Sequence, residues 1–455
     1  MVETHKSKIH NLLTILLDHP LQAFAESAEY DIVSNNHDVK LDGKEGAGGK
    51  LMSGVENDNH VLIREITPRN ILSFGPKTAP LALGPLNVFI GPNGSGKSNF
   101  IDVLSLLRAT PGDMREILRR GGGGREWVWK GDLSAEPSLD LLVESNMPFV
   151  SLEDRPLRHS FSLYLDEQGW LLVLNEEISY GVSNSELSMP NGNLYHYNRN
   201  EKYAILNVKG EHREIASDSL NVWQSILAQR RDPESYLEIS YLAHIYEKIR
   251  IYREWSFGRN TIYREAQKAD MRNDRLEEDF SNLGMYLSRL RKDPRTKKAI
   301  IDAICDLYSG FTDFEVIAEG GSVQIFFMEG TFSIPASRLS DGSLRYLTLV
   351  SLLCDPTPAP LICIEEPELG LHPDILPKLA ELLVNASERT QLVITTHSDI
   401  LVDALSARPE TVIVCEKHDG QTTMQRLDPE KLSVWLEKYS LGELWTRGEL
   451  GGTRW

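Results

Sequence analysis

Apolar residues recur along the chain at two spacings, and the changes between them mark out the elements. Val61-Leu-Ile-Arg-Glu-Ile66 nearly alternates, and Leu86-Asn-Val-Phe-Ile90 is a short apolar run passing directly into Gly91; both patterns predict strands. Helix signals follow over residues 97–107, and the glycines at 121–124 break the chain. Aromatic, strand-like pieces at 126–129, 160–165 and 170–174 predict an antiparallel sheet. From about 218 to 308 helix formers dominate, with Leu237, Tyr241, Leu242, Ile245 and Ile249 at helical spacing. Residues 310–455 return to short strands and helices, among them two strands buried on both faces, at 361–364 and 391–395.

These changes divide the chain into residues 1–59, 60–217, 218–309 and 310–455. The first is expected to be an extension with a Gly/Asn/Asp/Lys-rich linker over 35–59, and Met52 offers a second start. Lys6 and Lys8 before the apolar run 11–17 imitate a secretory leader, but the run is short and ends in Asp18-His19-Pro20. The third part reads as a helical lobe inserted into the body formed by the second and fourth. It has no sustained heptads and no central CxxC, which argues against a long coiled-coil arm.

Composition narrows the function classes. With 455 residues and 41% hydrophobic content the chain can fill a sizeable core. No run approaches the roughly 18 apolar residues that cross a bilayer, so no membrane part is expected. A net charge of −18 disfavours broad attraction to nucleic acid or anionic membranes. Cys305, Cys354, Cys363 and Cys415 are widely spaced, form no CxxC, and read as buried thiols of a cytoplasmic protein.

The chemistry lies in four segments. Gly91-Pro-Asn-Gly-Ser-Gly-Lys-Ser98 fits the phosphate-loop pattern between a strand and a helix. There the N–H groups of Asn93, Gly94, Ser95, Gly96, Lys97 and Ser98 turn toward phosphates, Lys97 supplies charge, and the Ser98 hydroxyl can ligate Mg²⁺. Leu361-Ile-Cys-Ile-Glu-Glu-Pro367 delivers two adjacent carboxylates at a strand end, Glu365 for the magnesium and Glu366 as general base. The strand at 391–395 delivers His397, within reach of a γ-phosphate. Ser340 and Gly342 open the helix before Tyr346, a second helix start able to bind an anion. A chain with its own phosphate loop has no need of two, so this start is expected to serve the nucleotide on a second copy.

The order of these segments resembles the ABC-type ATPases of the SMC, RecF and OLD branch. The matching pieces are GPNGSGKSN at 91–99, an LSGG-like signature at 339–343, the acidic strand at 364–366 and the switch histidine His397. More narrowly the chain is similar to compact bacterial ATPases of the RecF/OLD kind, which share EEPE-x-GLHP and TTHS. The resemblance covers residues 61–455. It implies an α/β P-loop head with an antiparallel subdomain and an inserted helical lobe. It also implies ATP and Mg²⁺ as ligands, Asn99 in the phosphate loop, and residues 368–372 as the loop touching the partner copy. The signature reads Leu-Ser-Asp-Gly, and Glu365 stands where most ABC proteins have Asp, as is usual in this branch. The Q-loop glutamine is unassigned between Gln168 and Gln229.

The resemblance further implies a homo-oligomer, a dimer or higher even number, acting through a separate effector in DNA repair or antiviral defence. The alternative, a transporter's nucleotide-binding subunit, is disfavoured by the size of the insertion. A built-in nuclease would need a DxD pair after the acidic strand, and none follows, so a nuclease would be another chain. Arg289, Arg291, Lys292, Arg295, Lys297 and Lys298 cluster around one aspartate, which keeps DNA or RNA contact open beside a plain solvated helix end.

Overall fold

The computed structural model describes residues 61–145, 156–181, 193–208, 211–255 and 258–452; the expected extension over 1–59 lies outside them. In chain order the strands are β1 (Ile63–Arg69), β2 (Leu81–Ala82), β3 (Leu86–Ile90), β4 (Ser138–Val143), β5 (Leu157–Leu165), β6 (Leu171–Tyr180), β7 (Asn193–Asn198), β8 (Tyr203–Val208) and β9 (Glu211–Glu214). They continue with β10 (Arg250–Tyr252), β11 (Gln267–Lys268), β12 (Asp313–Glu319), β13 (Ser322–Glu329), β14 (Phe332–Pro335), β15 (Leu361–Glu365), β16 (Gln391–Thr395), β17 (Val412–His418) and β18 (Gln421–Arg426). The helices are α1 (Lys97–Ala109), α2 (Met114–Arg120), α3 (Gly124–Trp127), α4 (Ile226–Gln229), α5 (Leu237–Glu247) and α6 (Leu283–Leu290). After them come α7 (Pro294–Leu307), α8 (Asp341–Leu353), α9 (Leu376–Ser387), α10 (Asp399–Asp403), α11 (Pro429–Leu436) and α12 (Leu441–Thr446).

A six-stranded sheet in the order β10-β15-β16-β3-β17-β18 forms the centre. Its strands run parallel except β18, which returns antiparallel to β17. The parallel strands are apolar throughout because both faces are covered. Phe89, Cys363 and Val393 enter one core with α1 and α5, while Val88, Ile90, Ile362, Ile364, Leu392 and Ile394 enter another with α6 to α9. Parallel strands deliver their carboxyl ends to one edge, so Glu365, Thr395 and Ile90 open onto the same rim.

An eight-stranded antiparallel sheet, β2-β1-β4-β5-β6-β7-β8-β9, packs into the first core. Buried Gln391 binds it to the central sheet: its Oε1 accepts from Ile63 N at 2.9 Å and its Nε2 donates to Ile63 O at 2.9 Å. A third sheet, β11-β13-β12 with β14 on β13, precedes α8. The fold is mixed α/β with both parallel and antiparallel sheets, the class expected from the sequence.

Two local readings change. Residues 126–129, expected as a strand, lie partly in helix α3, which starts after Gly123 at φ 95° and buries Trp127. The stretch 218–309 holds α4 to α7 but also β10 and β11. β10 is too short for its period to be read; its Ile251 and Tyr252 enter opposite cores as the edge of the central sheet. Half of the basic cluster is engaged within the chain. Arg289 pairs with Asp355 at 2.6 Å, Lys297 with Asp313 at 2.6 Å, and Arg291 lies over the Phe314 ring. Lys292, Arg295 and Lys298 are exposed.

Candidate functional site

The phosphate loop joins β3 to α1. Gly91, Gly94 and Gly96 adopt φ of 143°, 76° and 102°, which L side chains resist. A Cβ at Gly91 would meet the Cys415 carbonyl and one at Gly96 the Thr422 hydroxyl, whereas Gly94 faces open space. Thr422 Oγ1, from β18, donates to Ser95 O at 2.8 Å and fixes the loop from behind. No side chain caps the start of α1, so its first N–H groups are left for a ligand. Buried Lys97 crosses the loop, its Nζ donating to Gly91 O at 2.8 Å and Pro92 O at 3.0 Å. Burial pushes its ammonium below the ordinary lysine range against the pull of Glu366, Glu365 and Glu368. Asn93 and Gly94 are exposed at the loop tip, Asn99 is half-buried, and Ser95 Oγ is buried without a hydrogen-bond partner among the described residues.

Ser98 Oγ donates to Glu365 Oε1, which brings together two hard oxygen ligands of the kind magnesium takes. The uncapped start of α1, the buried lysine and this oxygen pair fit a magnesium-bound nucleotide. Arg253, just beyond β10, holds the other Glu365 oxygen at 3.2 Å and Asp102 of α1 at 2.7 Å.

Glu366 has φ 47°, unusual for a side chain with a Cβ. Its N–H donates to Thr395 O at 3.0 Å, and its carbonyl accepts from Arg345 Nη2 at 2.6 Å. This turns the carboxylate to lie 3.7 Å from His397 Nε2. Burial, and after it the charges of Glu368 and Glu365, hold Glu366 above the ordinary carboxylate range. Glu368 Oε1 accepts from His397 N at 2.8 Å and Thr396 Oγ1 at 2.7 Å, fixing the segment that follows β16.

Ser340 caps α8, accepting from Ser343 N at 3.0 Å, and is itself exposed. Gly342 lies against the Gly370 carbonyl, closer than a Cβ would allow. None of the hydrogen bonds among the described residues joins Ser340 or Gly342 to residues 91–99. Asp341 is held by Arg264 and accepts from Gly258 N at 3.1 Å.

The sequence profile of the family described as "AAA domain, putative AbiEii toxin, Type IV TA system" matches residues 86–141 and 202–403, more than half of the chain. The chain belongs to this AAA family. The matched stretches hold every residue of the site described above except Thr422 and Cys415. They lie on a mixed α/β fold with a mostly parallel central sheet. A search of curated proteins finds no match. Among solved structures the AAA domain is similar to an SMC head bound to the C-winged helix domain of ScpA, at 16% identity over 82% of this chain and 99% of that one, TM-score 0.43. It is also similar to the SMC head domain from Thermotoga maritima, at 15% identity over 81% and 100%, TM-score 0.40. A third is the Smc head domain with an extended coiled coil bound to the C-terminal domain of ScpA, from Pyrococcus furiosus, at 14% identity over 83% and 99%, TM-score 0.40.

Sequence reasoning missed Arg253, Arg345 and Trp255 of this AAA domain. Trp255 Nε1 donates to Glu365 O at 3.0 Å, and its ring lies 4.1 Å from the Arg345 guanidinium. One signal was legible: Arg345 is a lone cation at the head of an apolar helix, where a charge must find a partner. Arg253 and Trp255 carried none, since their neighbours come from α1, α8 and β15. Of the two candidate glutamines, Gln168 is exposed in the turn between β5 and β6. Gln229 is tied to Asn221 O at 3.1 Å and Gln224 O at 2.9 Å.

Among the described residues no helix is long and apolar enough to cross a membrane.

Proposed function

We propose that this chain binds ATP with Mg²⁺ and hydrolyses it to ADP and phosphate. Two copies close on the nucleotide, and the cycle controls a separate cytoplasmic effector that processes nucleic acid. The observation that carries this reading is the convergence on one sheet edge of Lys97, the Ser98–Glu365 pair, and Glu366 beside His397. In it, residues 93–99 hold the phosphates, and Ser98 and Glu365 hold the metal. The nucleotide and its magnesium supply the transferable phosphoryl group and the neutralising charge.

The chain's own residues do the rest. Glu366 accepts a proton from the attacking water, a role favoured by a carboxylate raised toward neutral pH. His397, oriented through its N–H by Glu368, contacts the developing charge. Ser340 and Gly342 complete the site of the second copy; the exposure of Ser340 and the lack of bonds from either to their own phosphate loop support this. The head comprises residues 60–217 and 310–455 together with the part of 218–309 that supplies α5 and the edge strand β10. The toxin–antitoxin wording of the family description supports a defence setting, with a nuclease as one form of the effector. Phosphate release from ATP by the purified full chain, with and without chelator, tests the reading: absence of magnesium-dependent turnover would overturn it.

A further inference from the structure

The edge strand β10 carries a second concentration of charge at its start. Arg250, Arg275 and Arg108 line a cavity of about 440 Å³ together with Glu277, Glu278 and Asp279. Each of these acids is already engaged. Glu278 Oε1 accepts from Arg108 and from Ile251 N at 2.8 Å, Glu277 lies 3.6 Å from Arg272, and Asp279 accepts from Ser281 N at 3.0 Å.

Two of the arginines are not matched in this way. Arg250 Nη1 donates only to the carbonyls of Glu247 and Ile249, both at 2.8 Å. Arg275 Nε is buried with no hydrogen-bond partner among the described residues. No ion pair joins either residue to a carboxylate among the described residues. Burial, and after it the charge of Arg275, pushes Arg250 below the ordinary arginine range against the pull of Tyr252 and Glu278, with Arg108 adding to the repulsion. Half-buried guanidinium groups with no directly paired carboxylate are costly, and a multivalent anion between them offsets that cost.

We propose that this cavity binds a phosphate group through Arg250 and Arg275, with Arg108 at its wall. Guanidinium forks match phosphate oxygens in pairs, which a carboxylate or halide uses less fully. The cavity is separate from the nucleotide site, since Arg108 lies at the far end of α1 from Lys97, roughly 16 Å along the axis. It shares α1 and β10 with that site, Arg250 standing three residues before Arg253.

The test uses full-length protein carrying Lys97→Ala, so that the phosphate loop does not contribute, with pyrophosphate and a short thymidine oligonucleotide as probes followed by calorimetry. Pyrophosphate should bind, and adding Arg250→Gln with Arg275→Gln should weaken it by about tenfold or more. If the oligonucleotide weakens in parallel, the phosphate recognised belongs to a nucleic-acid backbone; if only pyrophosphate does, it belongs to a free phosphate ester. In phosphate-free buffer Arg275→Gln alone should raise the thermal midpoint by removing repulsion. Its own pyrophosphate affinity carries the test if the double variant fails to fold, because its guanidinium makes no ion pair among the described residues. Unchanged pyrophosphate affinity after loss of these arginines, or no binding of either probe to the Lys97→Ala protein, overturns the proposal.

Discussion

The guanidinium of Arg345, in the first turns of α8, donates to the carbonyl oxygen of Glu366 at 2.6 Å. One contact therefore joins α8 to the backbone of the proposed general base, at a residue held at φ 47°. Arg345 is 2% exposed and stacks on Trp255. Arg345→Met should cost about 2–4 kcal/mol of stability by orphaning that carbonyl and losing the ring contact. It should also lower turnover by roughly tenfold, because Glu366 can relax toward ordinary backbone angles. Urea unfolding and steady-state ATP hydrolysis measure the two effects; a variant with normal turnover would show that the bond does not position the base.

Lys97→Ala should abolish tight binding of magnesium-ATP, weakening it by about a hundredfold or more, since the loop loses its only buried cation among the described residues. Stability should hold or rise, because burial already disfavours the charged ammonium. Calorimetry and a thermal melt report both, and undiminished affinity in the folded variant would remove the phosphate-loop assignment.

Glu366→Gln keeps size and hydrogen bonding but loses the basic carboxylate. Turnover should fall by about a hundredfold, ~2.7 kcal/mol of barrier, while ATP binding survives. With hydrolysis blocked, light scattering should register an ATP-dependent shift to a dimer or higher even-numbered assembly. Adding Ser340→Arg should undo the shift; since Ser340 also caps α8, a fold check must accompany it, with a cap loss of about 1 kcal/mol expected. Assembly unaffected by Ser340→Arg would contradict the composite site.

Two glycines of one loop should respond differently to alanine. Gly91→Ala drives a methyl into the Cys415 carbonyl and should disrupt the loop and its nucleotide binding. Gly94→Ala meets no atom and carries only the strain of φ 76°, roughly 1 kcal/mol. Equal losses in nucleotide affinity would mean that the β17 carbonyl does not shape the loop.

The cysteines are expected to follow their burial. Cys363 and Cys415 are fully enclosed, and burial pushes the Cys415 thiol up to about 12. Cys354, half-buried, is pushed up to about 11, so its alkylation should be slow at pH 8 and quicken as pH rises toward that value. Labelling mapped by mass spectrometry should find Cys363 and Cys415 modified only on unfolding; rapid native labelling of either would contradict the packing.

Much of the site was legible because its chemistry sits on short local strings. A glycine-rich turn after an apolar strand, paired acids closing another, and a histidine closing a third each declare a ligand edge once parallel pairing is assumed. Strands buried on both faces were legible too, since uninterrupted apolar runs of that length fit little else.

The rest of the site rests on contacts across distant sequence. Ser98 meets Glu365 because α1 and β15 converge on the same rim, and Arg253 meets both Asp102 and Glu365 because a three-residue strand joins the sheet edge. A period cannot be read over three residues, and an arginine's partner cannot be named without knowing which carboxylate the fold brings near. The phosphate loop, the acids and the order of the motifs could be read from the residues alone, because those depend on local backbone chemistry. The tertiary structure decided which cations guard them, because long side chains find partners only after the strands are ordered.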